Sequence, residues 1–325
     1  MQGSPSRAPE GADYSDLIFL CGPLRSGTTL TRLLLQQHSQ ISTRGESDYY
    51  FDESAAALRA GDDTPEARER FAEDLATQRI TRDQKVTPPP VGPLRDMIES
   101  LLEQERPKGG GRLLLTLHRH ADLAAELFPN ACFIRLRRDP RDVAISAMKM
   151  GWSGNPYHGV DVWRISERHW QAALPKLAEK QVTDLSFESL VNAPETTLRR
   201  VLEELDLPFE EAVLTPSGST YSAPSGSRAK AWQSTLTTRE AAEINDKIGT
   251  LGENAGYDCT QRRRPSLLRK VALRLGNRFG IWRHDVGRYG PRLFAEKLLA
   301  HRLGSGPYRR SVGERIQARD RLFLK

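Results

Sequence analysis

Leu17-Ile18-Phe19-Leu20-Cys21-Gly22-Pro23-Leu24-Arg25-Ser26-Gly27-Thr28-Thr29-Leu30 is a short apolar run, a glycine-bearing loop and the start of a second apolar segment. Leu17 to Leu20 predicts a buried strand. Leu30, Leu33, Leu34 and Leu35 predict a largely buried helix behind the loop. A strand that turns through glycines into a helix offers backbone N–H groups and the positive end of the helix dipole to an anion. The spacing from Gly22 to Gly27 is that of a nucleotide P-loop. Thr28-Thr29 stands where such a loop carries Lys-Ser/Thr, and Arg25 lies within the loop. Without the lysine the β- and γ-phosphates lose their main cation, and no apolar strand ends in a clear magnesium-binding Asp. A nucleotide-dependent kinase is therefore the weaker alternative.

Outward from this stretch, Leu113 to Leu117 predicts a second buried strand and Asp122 to Phe128 a short helix. Ala131 to Leu136 predicts a third strand, running into Arg138-Asp139-Pro140-Arg141 and another helix. A helix over 161–179, a strand over Val182 to Phe187 and a helix over Pro194 to Leu205 continue the alternation, and 238–251 follows with Thr237 or Thr238 as cap. Residues 64–80 and 92–105 suggest surface helices parted by Thr87-Pro88-Pro89-Pro90, so that 48–110 forms a helical cap or insert. The expected class is α/β, a P-loop-like parallel sheet flanked by helices. Expected boundaries are a flexible leader over 1–16, a main domain over 17–260 and a basic helical C-terminal extension over 261–325.

The chain has 325 residues, 38% hydrophobic and 28% charged, which places it among globular proteins and excludes collagen-like or wholly disordered chains. No apolar run approaches the roughly 20 residues that span a bilayer. Residues 1–16 lack the basic-then-apolar order of a secretory signal. Cys21, Cys132 and Cys259 match neither a disulfide framework nor zinc spacing, so a reducing cytoplasm is the expected location and no metal is expected. Residues 261–325 hold 18 Lys and Arg against 4 Asp and Glu, a net +14, which leaves −8 on residues 1–260 out of the total of +6.

The segment Cys132 to Ser146 places Arg138 at a strand end and Ser146 within the next helix, a pair able to grip one phosphate. With these residues in view the sequence resembles the sulfotransferases that use 3′-phosphoadenosine 5′-phosphosulfate (PAPS). Pro23 to Thr29 looks like their 5′-phosphosulfate loop and Arg138 to Ser146 like their 3′-phosphate element. Phe187-Glu188-Ser189-Leu190 resembles their Tyr-Glu-Asp-Leu, Ser227 to Trp232 their late basic loop, and Ala255-Gly256-Tyr257 their closing Leu-Gly-Tyr, so the likeness spans about 16–258. The resemblance implies that Arg25, Ser26, Gly27, Thr28 and Thr29 cradle the 5′-phosphosulfate. It also implies that Arg138 and Ser146 bind the 3′-phosphate and that Arg228 and Lys230 close over it. A hydroxyl of a carbohydrate, lipid-linked, natural-product or phenolic acceptor is the implied partner. A donor-binding protein without turnover is the non-enzymatic alternative.

Such a reaction needs a base for the acceptor hydroxyl. Glu46, in Arg44-Gly45-Glu46-Ser47, resembles the Gly-Glu-Glu that carries the base in tyrosylprotein-type and many bacterial members. His118 and His120 are the other candidates, at the end of the second strand, where cytosolic members carry Lys-Thr-His. Here Leu115-Thr116-Leu117-His118-Arg119-His120 lacks that lysine, leaving Arg25, Arg119 or Lys85 to supply the charge. In the extension, Leu268, Val271, Leu275, Phe279 and Trp282 fall on one helical stripe, with Lys270, Arg274 and Arg278 away from it. The leading expectation is that the stripe packs on the catalytic body. Contact with an anionic membrane or an acidic partner is the other. Few interleaved aromatics and no recognised motif argue against nucleic acid.

Overall fold

The computed structural model describes residues 13–216, 226, 229–303 and 306–323. It divides into two compact units, one formed by 1–139 with 162–231 and the other by 140–161 with 232–325.

The first unit is built on five parallel strands: β1 (Leu17–Cys21), β2 (Ile41–Ser42), β3 (Arg112–Leu117), β4 (Cys132–Arg137) and β5 (Val182–Ser186), in the order β2-β3-β1-β4-β5. β1 is central because all five of its residues are buried, and a strand covered on both faces must be apolar throughout. Its side chains alternate. Leu17, Phe19 and Cys21 join Leu113, Leu115, Leu117 and Phe133 on one face, while Ile18 and Leu20 join Leu114, Ile134 and Leu136 on the other. Burying one such side chain is worth about 1.5–3 kcal/mol, so this alternation fixes the register.

Helix α1 (Thr28–Leu35) covers the second face. The first is covered by α2 (Ala55–Ala60), α3 (Pro65–Thr77), α4 (Arg79–Asp83), α5 (Leu94–Glu105) and α6 (Ala121–Leu127). The segment expected as surface helices is therefore part of the core. Leu94, Met97, Ile98, Leu101 and Leu102 of α5 are buried at spacings of three and four, and Phe71 and Leu75 anchor α3. The leader expected over 1–16 is held from Tyr14 onward, where the buried ring donates its hydroxyl to Glu99 at 2.7 Å and its backbone N–H to Asn130 at 3.0 Å.

α7 (Pro140–Lys149), α8 (Pro156–Gly159) and α9 (Asp161–Ala173) follow β4. α9 stops short of the expected 179, because Pro175 breaks it into a 3-10 turn over Leu174–Lys176. α10 (Phe187–Asn192) and α11 (Pro194–Glu204) follow β5. In the second unit come α12 (Trp232–Thr235), α13 (Thr238–Ile248), α14 (Thr250–Asn254), α15 (Leu267–Leu303, broken at Gly290 and Pro291) and α16 (Gly306–Phe323). Thr237 caps α13 in a reciprocal box with Glu240. The expected outcome for the tail is corrected: the stripe on α15 is exposed, from 84% at Leu268 to 38% at Trp282. No helix among the described residues is long and apolar enough to cross a membrane.

Candidate functional site

β1 ends at Cys21, and the loop that follows opens α1 with Gly27 in a left-handed conformation, φ 99°. No side chain caps this helix and no acid occupies its first turn, so its leading N–H groups remain available to a bound anion. Gly27 is required twice over. Its φ disfavours a side chain, and a Cβ would lie 2.5 Å from Cδ2 of Phe187. Phe187 thus packs against the loop. Above the same ring, 4.2 Å from its centroid, sits the Arg138 guanidinium, which also donates to the Arg25 carbonyl at 2.8 Å. The arginine at the end of β4 therefore braces the loop at the end of β1. Ser26 is fully buried and turns its hydroxyl onto the Pro23 carbonyl at 2.6 Å, while Arg25 is half-buried with φ 72°.

Beside the loop lies a chain of buried groups that sequence reasoning only half identified. Thr28 Oγ1 is 3.0 Å from His118 Nε2, and His118 Nδ1 is 2.6 Å from Asp48 Oδ2. Asp48 also accepts the backbone N–H groups of His118 and Arg119, at 2.9 and 3.2 Å. The backbone explains the meeting: Glu46 bridges Thr116 in parallel and Ser47 N–H donates to Thr116 at 2.9 Å, extending the sheet so that Asp48 faces His118. Burial pulls the imidazolium of His118 down, but the charge and hydrogen bond of Asp48, with the charge of Glu46 behind them, outweigh it and hold His118 above its ordinary value. When charged, His118 donates from both nitrogens, and Thr28 accepts with its hydroxyl proton left for another acceptor.

Glu46 is half-buried. With Thr29, Arg32, Gln84 and Thr116 it lines a recess of 250 Å³, while its carbonyl accepts from Gln84 at 3.2 Å. Its carboxylate makes no hydrogen bond or ion pair among the described residues. Arg119 is held in a two-pronged pair with Asp52, at 2.6 and 2.8 Å, whereas Lys85 is exposed in a turn.

His120 belongs to a different network. It starts α6 with φ 63°, stacks on His169 at 5.0 Å, and lies 3.1 Å from Arg59 and 3.2 Å from Asp52. His120, Asp122 and His169 bring potential ligand atoms within 4.8 Å. Several of their polar atoms have partners. Arg59 pairs both Asp122 oxygens at 2.9 Å, and His169 Nδ1 accepts the His120 backbone N–H at 2.9 Å. Burial lowers the His169 imidazole, which favours its neutral form as an acceptor. The grouping is knit into a hydrogen-bond network with Arg59 and Asp52.

Ser146 lies half-buried on α7 in the second unit. At the start of α7, Arg141 stacks over Trp232 at 3.8 Å and Asp142 accepts the Trp232 backbone N–H at 2.8 Å, which ties the end of the late basic segment to that helix. Lys230 is exposed with φ 56°. Arg228 lies outside the described residues. The sequence alone pointed to the loop and to Arg138, but not to Asp48, whose role depends on pairing between 46–48 and the end of β3. The nearest signal was the acid two residues beyond Glu46.

The sequence pattern of the sulfotransferase family matches residues 16–211, more than half of the chain. An uncharacterized protein of Aquifex aeolicus is 29% identical over 236 residues, covering 66% of this chain and 27% of that protein. Protein-tyrosine sulfotransferase A of Caenorhabditis elegans is 25% identical over 215 residues, 62% of this chain and 52% of its own length. The chain thus spans about a quarter and about half of these two relatives. Among solved structures, the sulfotransferase domain of the Synechococcus PCC 7002 olefin synthase superposes with a TM-score of 0.55 at 21% identity, covering 74% of this chain and 94% of that domain.

Proposed function

The chain belongs to the sulfotransferase family, and from that premise we propose that it moves the sulfuryl group of PAPS to a hydroxyl of an acceptor. The observation that carries the proposal is the Gly22–Thr29 loop, which leads into an uncapped helix and is braced by Arg138. An unfilled set of N–H donors beside Arg25 suits a phosphosulfate, and sulfuryl transfer asks mainly for positioning and for stabilisation of the departing charge. The residues fit that task. Arg25, Ser26, Gly27, Thr28 and Thr29 hold the 5′ end. Arg138, with Ser146, Arg228 and Lys230 as the sequence resemblance assigns them, holds the 3′-phosphate that separates this donor from ATP.

In the proposed reaction the acceptor oxygen bonds to sulfur as the bond from sulfur to the phosphate oxygen breaks. The electron pair leaves on 3′-phosphoadenosine 5′-phosphate, and the acceptor proton passes to the Glu46 carboxylate. Glu46 suits the role of base because its carboxylate is uncommitted and borders an open recess next to Thr29. His118 is enclosed, with both ring nitrogens engaged, and acts through Thr28 by leaving that hydroxyl free to donate to a phosphosulfate oxygen. His120 is the remaining candidate, and its Asp52 and Arg59 partners give it an orienting part. Arg25 supplies the charge of the missing family lysine. The acceptor is a hydroxyl compound of the carbohydrate, lipid-linked, natural-product or phenolic kind, and the location is cytoplasmic. Incubation with sulfur-labelled donor and an acceptor panel tests the reading. Label transfer by the wild type and its loss in Glu46→Gln, with donor binding retained, are expected; label transfer undiminished in Glu46→Gln would refute the assigned base.

A further inference from the structure

We propose that the first arm of α15, residues 267–289, is a docking face for an anionic lipid bilayer surface. The arm has two opposite sides. On the inner side Asn155 donates to the Leu273 carbonyl at 2.7 Å and Gly154 N–H donates to the Asn277 side chain at 2.7 Å. Gly280 presses so close that a Cβ there would lie 2.5 Å from the Gly154 Cα. Leu273, Asn277, Gly280 and His284 repeat every three or four residues and keep this side against 151–155 of the same unit.

The outer side is apolar and largely open, with Phe294, beyond the break in α15, edge-on to Trp282 at 6.3 Å. Leu268, Val271, Leu275, Phe279, Trp282 and Val286 also recur every three or four residues, with exposures of 84, 57, 64, 67, 38 and 37%. At about 1.5 Å per residue the row is about 27 Å long. An uncovered apolar row of that extent on a folded unit marks a surface that meets something else.

Charge identifies the occupant. Arg274, Arg278 and Arg283 are exposed along the margins of the row, and Arg278 reaches over the Trp282 ring at 5.0 Å. Residues 261–325 carry a net +14, from 18 basic and 4 acidic side chains. A second copy of the chain would bring these arginines against their like, which disfavours self-association. Trp, Phe and Leu rimmed by arginine suit the boundary between headgroups and acyl chains, where apolar burial and attraction to anionic headgroups act together. The row ends where Gly290 and Pro291 break the helix, so one straight segment presents it.

Vesicle co-sedimentation of the full chain at about 0.1 M salt tests this directly. The vesicles are phosphatidylcholine alone or phosphatidylcholine with phosphatidylglycerol. The wild type is expected to pellet with the anionic vesicles and stay in solution with the neutral ones. Leu275→Glu with Phe279→Glu, and separately Arg274→Gln with Arg278→Gln and Arg283→Gln, are expected to weaken pelleting by at least about tenfold. All these side chains are exposed, so donor-loop binding of 3′-phosphoadenosine 5′-phosphate should be unchanged and reports folding independently. Trp282 emission should shift to the blue on anionic vesicles, a shift absent from Trp282→Phe. No pelleting of the wild type, or pelleting indifferent to the apolar substitutions, would overturn the proposal. So would a lipid-free dimer that Phe279→Glu dissociates, or capture by an acidic protein in preference to vesicles.

Discussion

Asp48 grips His118 through the side chain at 2.6 Å and through the backbone N–H at 2.9 Å, so the ring has one orientation. The same carboxylate makes His118 a titrating contributor to stability. Its folded value is raised, so the stabilisation is fully present below the ordinary value of about 6.5 and is lost as pH rises through the folded value. His158 and His169, both lowered by burial, act in the opposite sense, so the His118 contribution is read as the difference between wild type and Asp48→Asn in urea unfolding from pH 5.5 to 8.5, which should shrink toward the alkaline side. Asp48→Asn keeps an oxygen for the two backbone donors but loses the charge; a wild-type advantage that does not change with pH would show that His118 is not its source. Glu46 invites the complementary test. Glu46→Gln should lower kcat by about 10²- to 10⁴-fold, the usual worth of a general base, and leave the affinity for 3′-phosphoadenosine 5′-phosphate unaltered in calorimetry.

At the scale of elements the strand–loop–helix unit is the most constrained part of the chain. Gly27→Ala places a side chain at φ 99° and into the Phe187 ring, and should cost more than about 2 kcal/mol in chemical denaturation. Thr237→Ala removes one half of the capping box of α13 and should cost about 1 kcal/mol. Both features were legible in the sequence, because a glycine after an apolar strand and a Thr three residues before a Glu are local signals. α5 was legible as a helix but not as core. Its Leu94, Met97, Ile98, Leu101 and Leu102 spacing was visible, while the proline break before it suggested a surface insert. The Glu46–Thr116 bridge was not legible, since it joins residues seventy apart through one pair. With it the Asp48–His118–Thr28 chain was hidden: His118 stood out as a candidate base and Thr28 as part of the donor loop, but Asp48, which joins them, did not.

Across the molecule the division of charge was plain from composition, whereas the direction of the apolar stripe was not. A helical stripe predicts that one face will be buried, and α15 instead buries its opposite side, where glycine and asparagine allow the backbones to approach. The family likeness covers the sheet and its loop, and in the proposed function this loop holds a donor bearing a 3′-phosphate. The most direct test is calorimetric titration with 3′-phosphoadenosine 5′-phosphate, beside ATP with magnesium, on wild type and Arg138→Ala. Binding of 3′-phosphoadenosine 5′-phosphate in preference to ATP, weakened at least about tenfold by Arg138→Ala, is expected. Preference for ATP with magnesium, or no binding of either, would contradict it.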